Sequence, residues 1–162
     1  LYMKFEKDEL NLYAAAVRII EEPLDEIYDW EADILSQAWN PKAAKKKLKE
    51  IPGTMVTDAL LDQTIFSGVG NIIKNEVLYR IKVHPESLVG TLPPKKLNEM
   101  IKEASGYSYE FLAWKRDFVL RQNWKVHTKK TCPRDETKIA KEYLGKTNRR
   151  TFFCPACQKK YE

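Results

Sequence analysis

The spacing of apolar residues changes from a strand-like to a helix-like period near residue 41. Residues 1–5 alternate apolar and polar side chains, which is the period-two pattern of a half-buried β-strand. A turn at residues 8–9 would reverse the chain, and residues 10–20 predict further strand. Because two or three strands without a sheet to complete them are marginally stable, we expect this segment to belong to a larger domain that precedes it.

Beyond residue 41 the apolar residues recur with the period of α-helices. Pro41 stands in the first turn of a predicted helix, where its missing N–H costs nothing. Residues 67–70 interrupt the pattern, and His84 with Pro85 ends the helix that follows. We therefore predict a small helical bundle, in which one helix buries an apolar and aromatic stripe. That stripe comprises Leu97, Met100, Ile101, Ala104, Tyr107, Phe111, Trp114 and Phe118.

Charge is distributed unevenly along the chain. Residues 1–40 hold 3 Lys and Arg against 10 Asp and Glu, whereas residues 41–162 hold 25 against 13. The two parts therefore carry −7 and +12, which sum to the net charge of +5. Such an asymmetry favours a body that binds a polyanion, behind an acidic segment whose residues 28–40 serve as a docking linker. A basic surface that is merely solvated is the alternative.

Two composition features bear on the protein's environment. No apolar run approaches the roughly 18–20 residues that span a bilayer, so we expect no membrane association. The 3 cysteines are an odd number that fits a disulfide framework poorly and favours metal-bound thiolates. We expect an intracellular protein, in the cytoplasm or nucleoid of a bacterium or in the nucleus of a eukaryote.

A glycine turn joins two of the predicted helices. Gly68 and Gly70 permit positive φ angles and a close approach of backbone to a ligand. The next helix begins at or near Asn71, so its free N–H groups and positive dipole end form a site suited to a phosphate. Asn71 has two possible roles, which are to cap the helix or to donate its amide to a phosphate oxygen. Lys74, one turn further, would add charge, and an ordinary helix connection with an asparagine cap is the alternative.

The last part of the chain has the spacing of a metal-binding finger. Cys154 and Cys157 form a tight knuckle, and Cys132 precedes them across a basic, aromatic and strand-prone run. This spacing suits two knuckles that close on one tetrahedral metal, usually zinc, across a β-hairpin. Asp135 stands where a second cysteine is expected, and its carboxylate oxygen is a possible zinc ligand. His127 is an alternative ligand. A metal-free finger would instead depend on the packing of Phe152, Phe153 and Tyr161.

Two motifs together resemble one known family. Residues 60–79, which contain Gly68-Val-Gly-Asn71 and precede His84-Pro85, resemble the helix-two-turn-helix domain of the formamidopyrimidine-DNA glycosylase / endonuclease VIII family. The run Arg149-x-Thr-x-x-Cys-x-x-Cys-Gln158 resembles the zinc finger that ends those proteins. The resemblance covers roughly residues 41–160 and extends to the family's order of motifs.

The resemblance implies a mainly α fold in three parts. Residues 1–35 would be the closing strands of an N-terminal β-sandwich with a linker. Residues 36–122 would form the helix-two-turn-helix DNA-binding domain, and residues 123–162 the zinc-finger β-hairpin.

The resemblance also implies a function in base excision repair. Members of the family excise oxidised bases from DNA and then nick the abasic strand. We therefore expect a monomer that binds one zinc ion and double-stranded DNA containing an oxidised base or an abasic site. Asn71 would contact a phosphate near the flipped-out lesion, and Arg149 would clamp a second phosphate from the finger. The expected DNA-binding residues are Gly70, Asn71, Lys74, Arg149 and Arg150, and the expected metal ligands are Cys132, Asp135, Cys154 and Cys157.

Two other functions remain open from the residues alone. One is a non-catalytic zinc-finger module that binds nucleic acid, and the other is a ribosomal or RNA-binding zinc ribbon. Binding to duplex DNA with an abasic analogue, compared with RNA and intact duplex, distinguishes them. In each case phosphate contacts predict binding that weakens steeply with salt.

We expect this 162-residue chain to bind DNA without cutting it. In the family, the secondary amine of an N-terminal proline attacks the sugar C1′ while an adjacent glutamate assists proton transfer. Residue 1 is Leu, and the nitrogen of Pro23 lies within an amide, where it cannot form an iminium. Borohydride trapping on an abasic oligonucleotide should give no adduct, with a family glycosylase that has its N-terminal proline as the positive control. A covalent adduct would contradict this expectation.

Overall fold

The structure is a computed structural model that describes residues 1–13 and 17–162. It consists mainly of helices, with one two-stranded antiparallel sheet before them and one after them, which confirms the predicted fold class. None of the described helices is long and apolar enough to cross a membrane. The strands are β1 (Tyr2–Lys4), β2 (Glu9–Asn11), β3 (Ala140–Leu144) and β4 (Arg149–Phe153). The helices are α1 (Leu24–Ile27), α2 (Pro41–Glu50), α3 (Val56–Ala59), α4 (Asn71–Arg80), α5 (Pro94–Arg116) and α6 (Leu120–Asn123), with a 3₁₀ turn at Val89–Thr91.

The N-terminal hairpin is shorter than predicted. Strands β1 and β2 pair with Tyr2 opposite Asn11, and all six of their residues are exposed. Residues 17–20 have no regular secondary structure, so the strand predicted to continue there is wrong, while residues 14–16 lie outside the described part. A two-stranded ribbon has no second layer against which a further apolar strand would be buried.

Helix α2 begins where the sequence predicts it. The side chain of Asn40 accepts hydrogen bonds from the backbone N–H groups of Lys42 and Ala43, each at 3.1 Å. Pro41 occupies the first helical position, where it removes no intrahelical hydrogen bond. Leu48 points inward and is fully buried in the core formed with α4 and α5.

Helix α5 buries most of the predicted aromatic stripe. Tyr107 is fully buried, and Phe111 and Trp114 pack at the edge of the core. Phe118 is 94% exposed and has a φ angle of +60°, so its predicted place in the core is wrong. The helix ends before this residue, and the left-handed backbone turns its side chain to the solvent. Helical periodicity describes a face correctly only as far as the helix continues.

The acidic linker contacts the helical body beneath the glycine turn. Ser67 N–H donates to the carbonyl of Ala32 at 2.9 Å, and Ile34 N–H donates to the carbonyl of Ser67 at 3.2 Å. The hydroxyl of Ser105 on α5 donates to the Ile34 carbonyl at 3.1 Å. Ile34 is itself buried in the core. The linker therefore holds the turn that leads into α4 against the longest helix.

A buried carboxylate joins α4 to the start of the finger. Glu76 is fully buried, and its Oε1 accepts the backbone N–H groups of Lys125, Val126 and His127 at 3.0, 2.9 and 2.8 Å. Its Oε2 accepts the Lys125 N–H at 3.0 Å. Successive backbone N–H groups form a concave site for an anion. Glu76 thereby fixes the chain that leads from α6 into the finger.

The C-terminal residues return to the helical body. The Gln158 side chain accepts the Cys154 N–H and donates to the Val83 carbonyl, each at 2.8 Å. The backbone N–H of His84 donates to the Lys159 carbonyl at 2.8 Å, and the N–H of Lys159 donates to the Lys82 carbonyl at 3.0 Å. The start of the finger is therefore attached to α4 through Glu76, and its end is attached to residues 82–84, which follow α4.

We expect Glu76→Gln to lower the free energy of unfolding by about 3 kcal/mol. In glutamine an N–H donor would replace Oε2 opposite the Lys125 N–H, and all three backbone N–H groups would lose a charged acceptor. Urea unfolding followed by circular dichroism measures the change. Glu50→Gln is the control, because Glu50 is exposed and surface changes usually stay within about 0.5 kcal/mol. An equally small effect at Glu76 would contradict the proposed importance of this contact.

Candidate nucleic-acid interface and metal centre

The glycine turn is shaped by one glutamine that the sequence reasoning did not assign a role. Gln63 Oε1 accepts the Gly68 N–H at 3.0 Å, and Gln63 Nε2 donates to the Val69 carbonyl at 3.1 Å. Gly68 has a φ angle of +93°, a conformation that favours glycine. Gly70 is the N-cap of α4 without a side-chain cap. The first N–H groups of α4 therefore lack a capping side chain and suit an anion.

Asn71 connects the glycine turn to the finger rather than capping α4. It is the first helical residue, so the capping role considered from the sequence is wrong. Its Nδ2 donates to the carbonyl of Arg150 on β4 at 2.8 Å. Its buried Oδ1 has no partner among the described residues. The amide thus holds the finger strand directly beside the N-terminus of α4.

Lys74 lies beneath this surface and not on it. Its side chain is fully buried, and Nζ donates to the hydroxyl of Thr151 at 2.7 Å. Burial lowers the pKa of Lys74 to about 8, an effect that nearby Asp58 opposes and Arg149 reinforces. The predicted direct contact of Lys74 with DNA does not match this position. Its charge instead acts on the surface from below, across a medium of lower polarity than water.

The finger and α4 enclose an open cavity that contains the predicted arginines. Its volume is about 390 Å³. Asn71, Arg149 and Arg150 line it together, so the structure brings three of the five predicted DNA-binding residues to one place. No acidic residue lines it, and neither arginine forms an ion pair with a carboxylate in the described part of the chain. The cavity also includes Tyr143 and Asn148, which the sequence reasoning missed.

Such a cavity is chemically suited to a phosphodiester. A guanidinium group offers a planar fork of donors that matches phosphate oxygens. The N-terminus of α4 adds backbone N–H groups and the positive end of a helix dipole. These contacts carry no sequence information, so they position a nucleic acid without reading its bases.

The four predicted metal ligands converge at the base of the finger. Ligand atoms of Cys132, Asp135, Cys154 and Cys157 all lie within 4.8 Å of one another. The Sγ atoms of Cys132 and Cys157 are 4.0 Å apart, and Asp135 Oδ2 lies 3.3 Å from Cys154 Sγ. A tetrahedron with Zn–S bonds of about 2.3 Å has edges of roughly 3.8 Å. The donor set therefore fits one tetrahedral metal ion.

The side chains around the cluster stabilise negative charge on the cysteine and aspartate ligands. Tyr79 Oη lies 3.5 Å from Cys132 Sγ, and Arg134 Nη1 lies 3.6 Å from Cys157 Sγ. The Arg134 guanidinium stacks over the Tyr79 ring at 3.9 Å from its centroid. Burial raises the pKa of the Cys154 thiol to about 12. A bound cation would displace that proton, while Arg134 would offset part of the charge of three thiolates and a carboxylate.

Neither histidine belongs to the metal cluster. His127 Nδ1 lies 2.9 Å from Asn75 Nδ2, and its ring packs edge-on against Phe152. Burial lowers the pKa of His127 to about 4, with the charges of Lys74 and Arg150 adding to the effect. A neutral His127 therefore packs between α4 and the finger, and its alternative role as a ligand is wrong. His84 is half-buried against Phe153 and lies outside the cluster.

The helical body matches the model of a known protein family. The model of the formamidopyrimidine-DNA glycosylase H2TH domain matches residues 31–107. Endonuclease 8-like 3 of Bos taurus is 35% identical over 130 residues, which are 80% of this chain and 22% of that protein. Endonuclease 8-like 2 of Homo sapiens is 37% identical over 130 residues, covering 78% of this chain and 38% of that protein.

Solved structures show the same arrangement. A viral DNA glycosylase superposes with a TM-score of 0.72 and 26% identity, covering 84% of this chain and 52% of the other. Formamidopyrimidine DNA glycosylase of Lactococcus lactis, bound non-covalently to DNA with an AP site, gives 0.71 and 25%, covering 80% and 49%. This chain spans about half of those solved chains and less of the curated relatives. The residues that match the family model include the glycine turn, and residues 31–107 are therefore the helix-two-turn-helix domain of the formamidopyrimidine-DNA glycosylase / endonuclease VIII family.

Proposed function

We propose that this chain is the DNA-binding part of a base-excision glycosylase with abasic-site lyase activity, which acts on oxidised bases. The observation that carries the proposal is that Asn71 at the start of α4 and Arg149 on β4 line one cavity, which has no acidic lining residue. The Lactococcus lactis relatives were solved with DNA that contains an abasic site. Duplex DNA with such a lesion is therefore the ligand that we propose for this cavity.

In the proposed complex the two groups bind the sugar–phosphate backbone beside an extruded nucleotide. Extruding a base from the duplex costs a few kcal/mol and costs least at damaged or missing pairs. Fixed backbone contacts offset this cost because they hold the distorted strand in place. The α4 N-terminus supplies N–H donors, and the exposed Arg149 supplies a charged fork.

The side chains at the cavity supply binding rather than bond cleavage. An amine that attacks C1′ must be unprotonated and must reach the sugar. Lys74 is the amine whose pKa is lowered to about 8, but it is fully buried and donates to Thr151. We propose that base removal and strand nicking need an amine from outside the cavity, in keeping with the proline nucleophile of the family.

Arg149→Ala should weaken binding to duplex DNA that contains an abasic analogue by about tenfold to a hundredfold. Hydrogen bonds to charged groups contribute about 1.5–3 kcal/mol, and each 1.4 kcal/mol is a factor of ten. The slope of log affinity against log salt should also decrease by about 1, because one phosphate contact is lost. Fluorescence anisotropy over a salt series measures both values.

Arg18→Ala is the matched control for that experiment. Arg18 is exposed and lies outside the cavity, so this variant has the same net charge as Arg149→Ala. Intact duplex and RNA of equal length serve as competitors for the two alternative functions. Equal losses for both arginine variants would show that net charge, and not the cavity, determines binding.

We propose that the cysteine and aspartate cluster holds one zinc ion. Three thiolates and one carboxylate form a donor set that zinc accepts. Protein purified without chelator should contain about one zinc per chain by elemental analysis. Asp135→Ala should lower this content, and Asp135→Cys should keep it, because only the second variant retains a fourth ligand.

Glu142→Ala is the control for the metal experiment, since Glu142 is exposed on β3 outside the cluster. Its zinc content should equal that of the unmodified protein. Unmodified protein without any bound metal would support the metal-free finger instead.

A further inference from the structure

The turn of the finger hairpin rests on a carboxylate of the helical body. Strands β3 and β4 are joined by residues 145–148, with Leu144 opposite Arg149. Asp58 on α3 accepts the backbone N–H of Lys146 in this turn, with its Oδ1 at 2.9 Å. Asp58 is half-buried. A residue 88 positions earlier in the chain thus holds the turn from outside the hairpin.

The turn is built for this close approach. Gly145 has a φ angle of +77°, a conformation that favours glycine. A Cβ atom placed on Gly145 would collide with Asp58 Oδ1 and would lie 2.9 Å from its Cγ. Glycine is therefore needed twice, for the backbone conformation and for the space that the carboxylate occupies.

Arg149 lies between this contact and two others. On one side is the Asp58 contact with Lys146. On the other side, Asn71 binds the carbonyl of Arg150, and Lys74 binds the hydroxyl of Thr151. The backbone that carries Arg149 is thus held against the helical body both before and after it. Holding a binding group in place before the ligand arrives reduces the entropy lost on binding.

The charge of Asp58 and its hydrogen bond to the turn predict opposite changes in DNA affinity when Asp58 is replaced. A carboxylate close to a phosphate-binding surface repels DNA, so electrostatics alone predicts tighter binding when it is removed. The pKa of the buried Lys74 responds to the charges of both Asp58 and Arg149, which indicates that the three groups are close. The hydrogen bond from the Lys146 N–H to Asp58 predicts the opposite effect, because its loss would release the turn that precedes Arg149.

We propose that Asp58 is a positioning residue, whose hydrogen bond to the Lys146 N–H holds the finger turn so that Arg149 faces the DNA backbone. This inference rests on the proposed function of Arg149 as a phosphate clamp. It assigns to α3 a part in DNA binding although α3 does not line the cavity.

Two substitutions at Asp58 separate hydrogen bond from charge. Asp58→Asn removes the charge but keeps an acceptor for the Lys146 N–H, whereas Asp58→Ala removes both. We expect Asp58→Ala to weaken binding to duplex DNA with an abasic analogue about threefold to tenfold, the range of a lost hydrogen bond. Asp58→Asn should stay within about twofold of the unmodified protein. Gly145→Ala should reproduce the loss, since the added methyl displaces the same contact.

Electrostatic repulsion as the main effect of Asp58 would overturn the proposal. In that case both Asp58→Asn and Asp58→Ala would bind DNA more tightly than the unmodified protein. An equal loss for Asp58→Asn and Asp58→Ala would also overturn it, because the carboxylate would then act through its charge on Lys74. The DNA affinity of a double variant that combines Asp58→Ala with Arg149→Ala provides a further test. The double variant should bind no more weakly than Arg149→Ala, and fully additive losses would contradict positioning.

A measurement without DNA separates this inference from the proposed function. Amide hydrogen exchange by NMR should be faster at Lys146 in Asp58→Ala than in Asp58→Asn, because the N–H has lost its acceptor. Unchanged protection at Lys146 would overturn the anchoring role whatever the DNA result. If Arg149→Ala binds DNA normally while Lys146 loses protection in Asp58→Ala, the proposed phosphate contact of Arg149 is wrong. The anchoring of the turn by Asp58 is then supported by itself.

Discussion

The arrangement of the whole C-terminal half depends on one buried carboxylate. Glu76 sits inside the protein on α4 and accepts three consecutive backbone N–H groups from the chain that enters the finger. A buried charge without such partners costs several kcal/mol, so this geometry is strongly preferred over any other position of the finger. Because α4 also begins at the glycine turn, the same helix positions both groups that we propose to bind phosphate, which are its own N-terminus and Arg149 of the finger. The distance between them is thereby fixed by a rigid element.

Three successive polar residues on α4 make this interface specific. Lys74, Asn75 and Glu76 are all buried, and each has a partner in the finger or in the chain that leads to it. Apolar packing alone tolerates small shifts of one surface on another, whereas directional hydrogen bonds do not. Arg149 therefore belongs to a surface whose orientation is determined by contacts inside the protein.

The sequence predicted local features well and long-range partners poorly. The start of α2 follows from Pro41, and the cluster of candidate metal ligands follows from the spacing of the cysteines, since both signals are contained in short segments. The burial of Lys74 depends on Thr151, 77 positions later, and no local pattern reveals that pairing. Phe118 shows the same limit, because a helical period does not indicate where the helix ends. A run of polar residues within an apolar helix was the available signal for the interface.

Gln158 gives the finger a further property. Its amide joins the second cysteine knuckle to the carbonyl of Val83, three residues after α4, while Glu76 within α4 holds the start of the finger. The finger therefore cannot open at either end without breaking contacts with the helical body. The finger and the helical body should therefore unfold in a single cooperative transition, as one folding unit rather than as two independent ones.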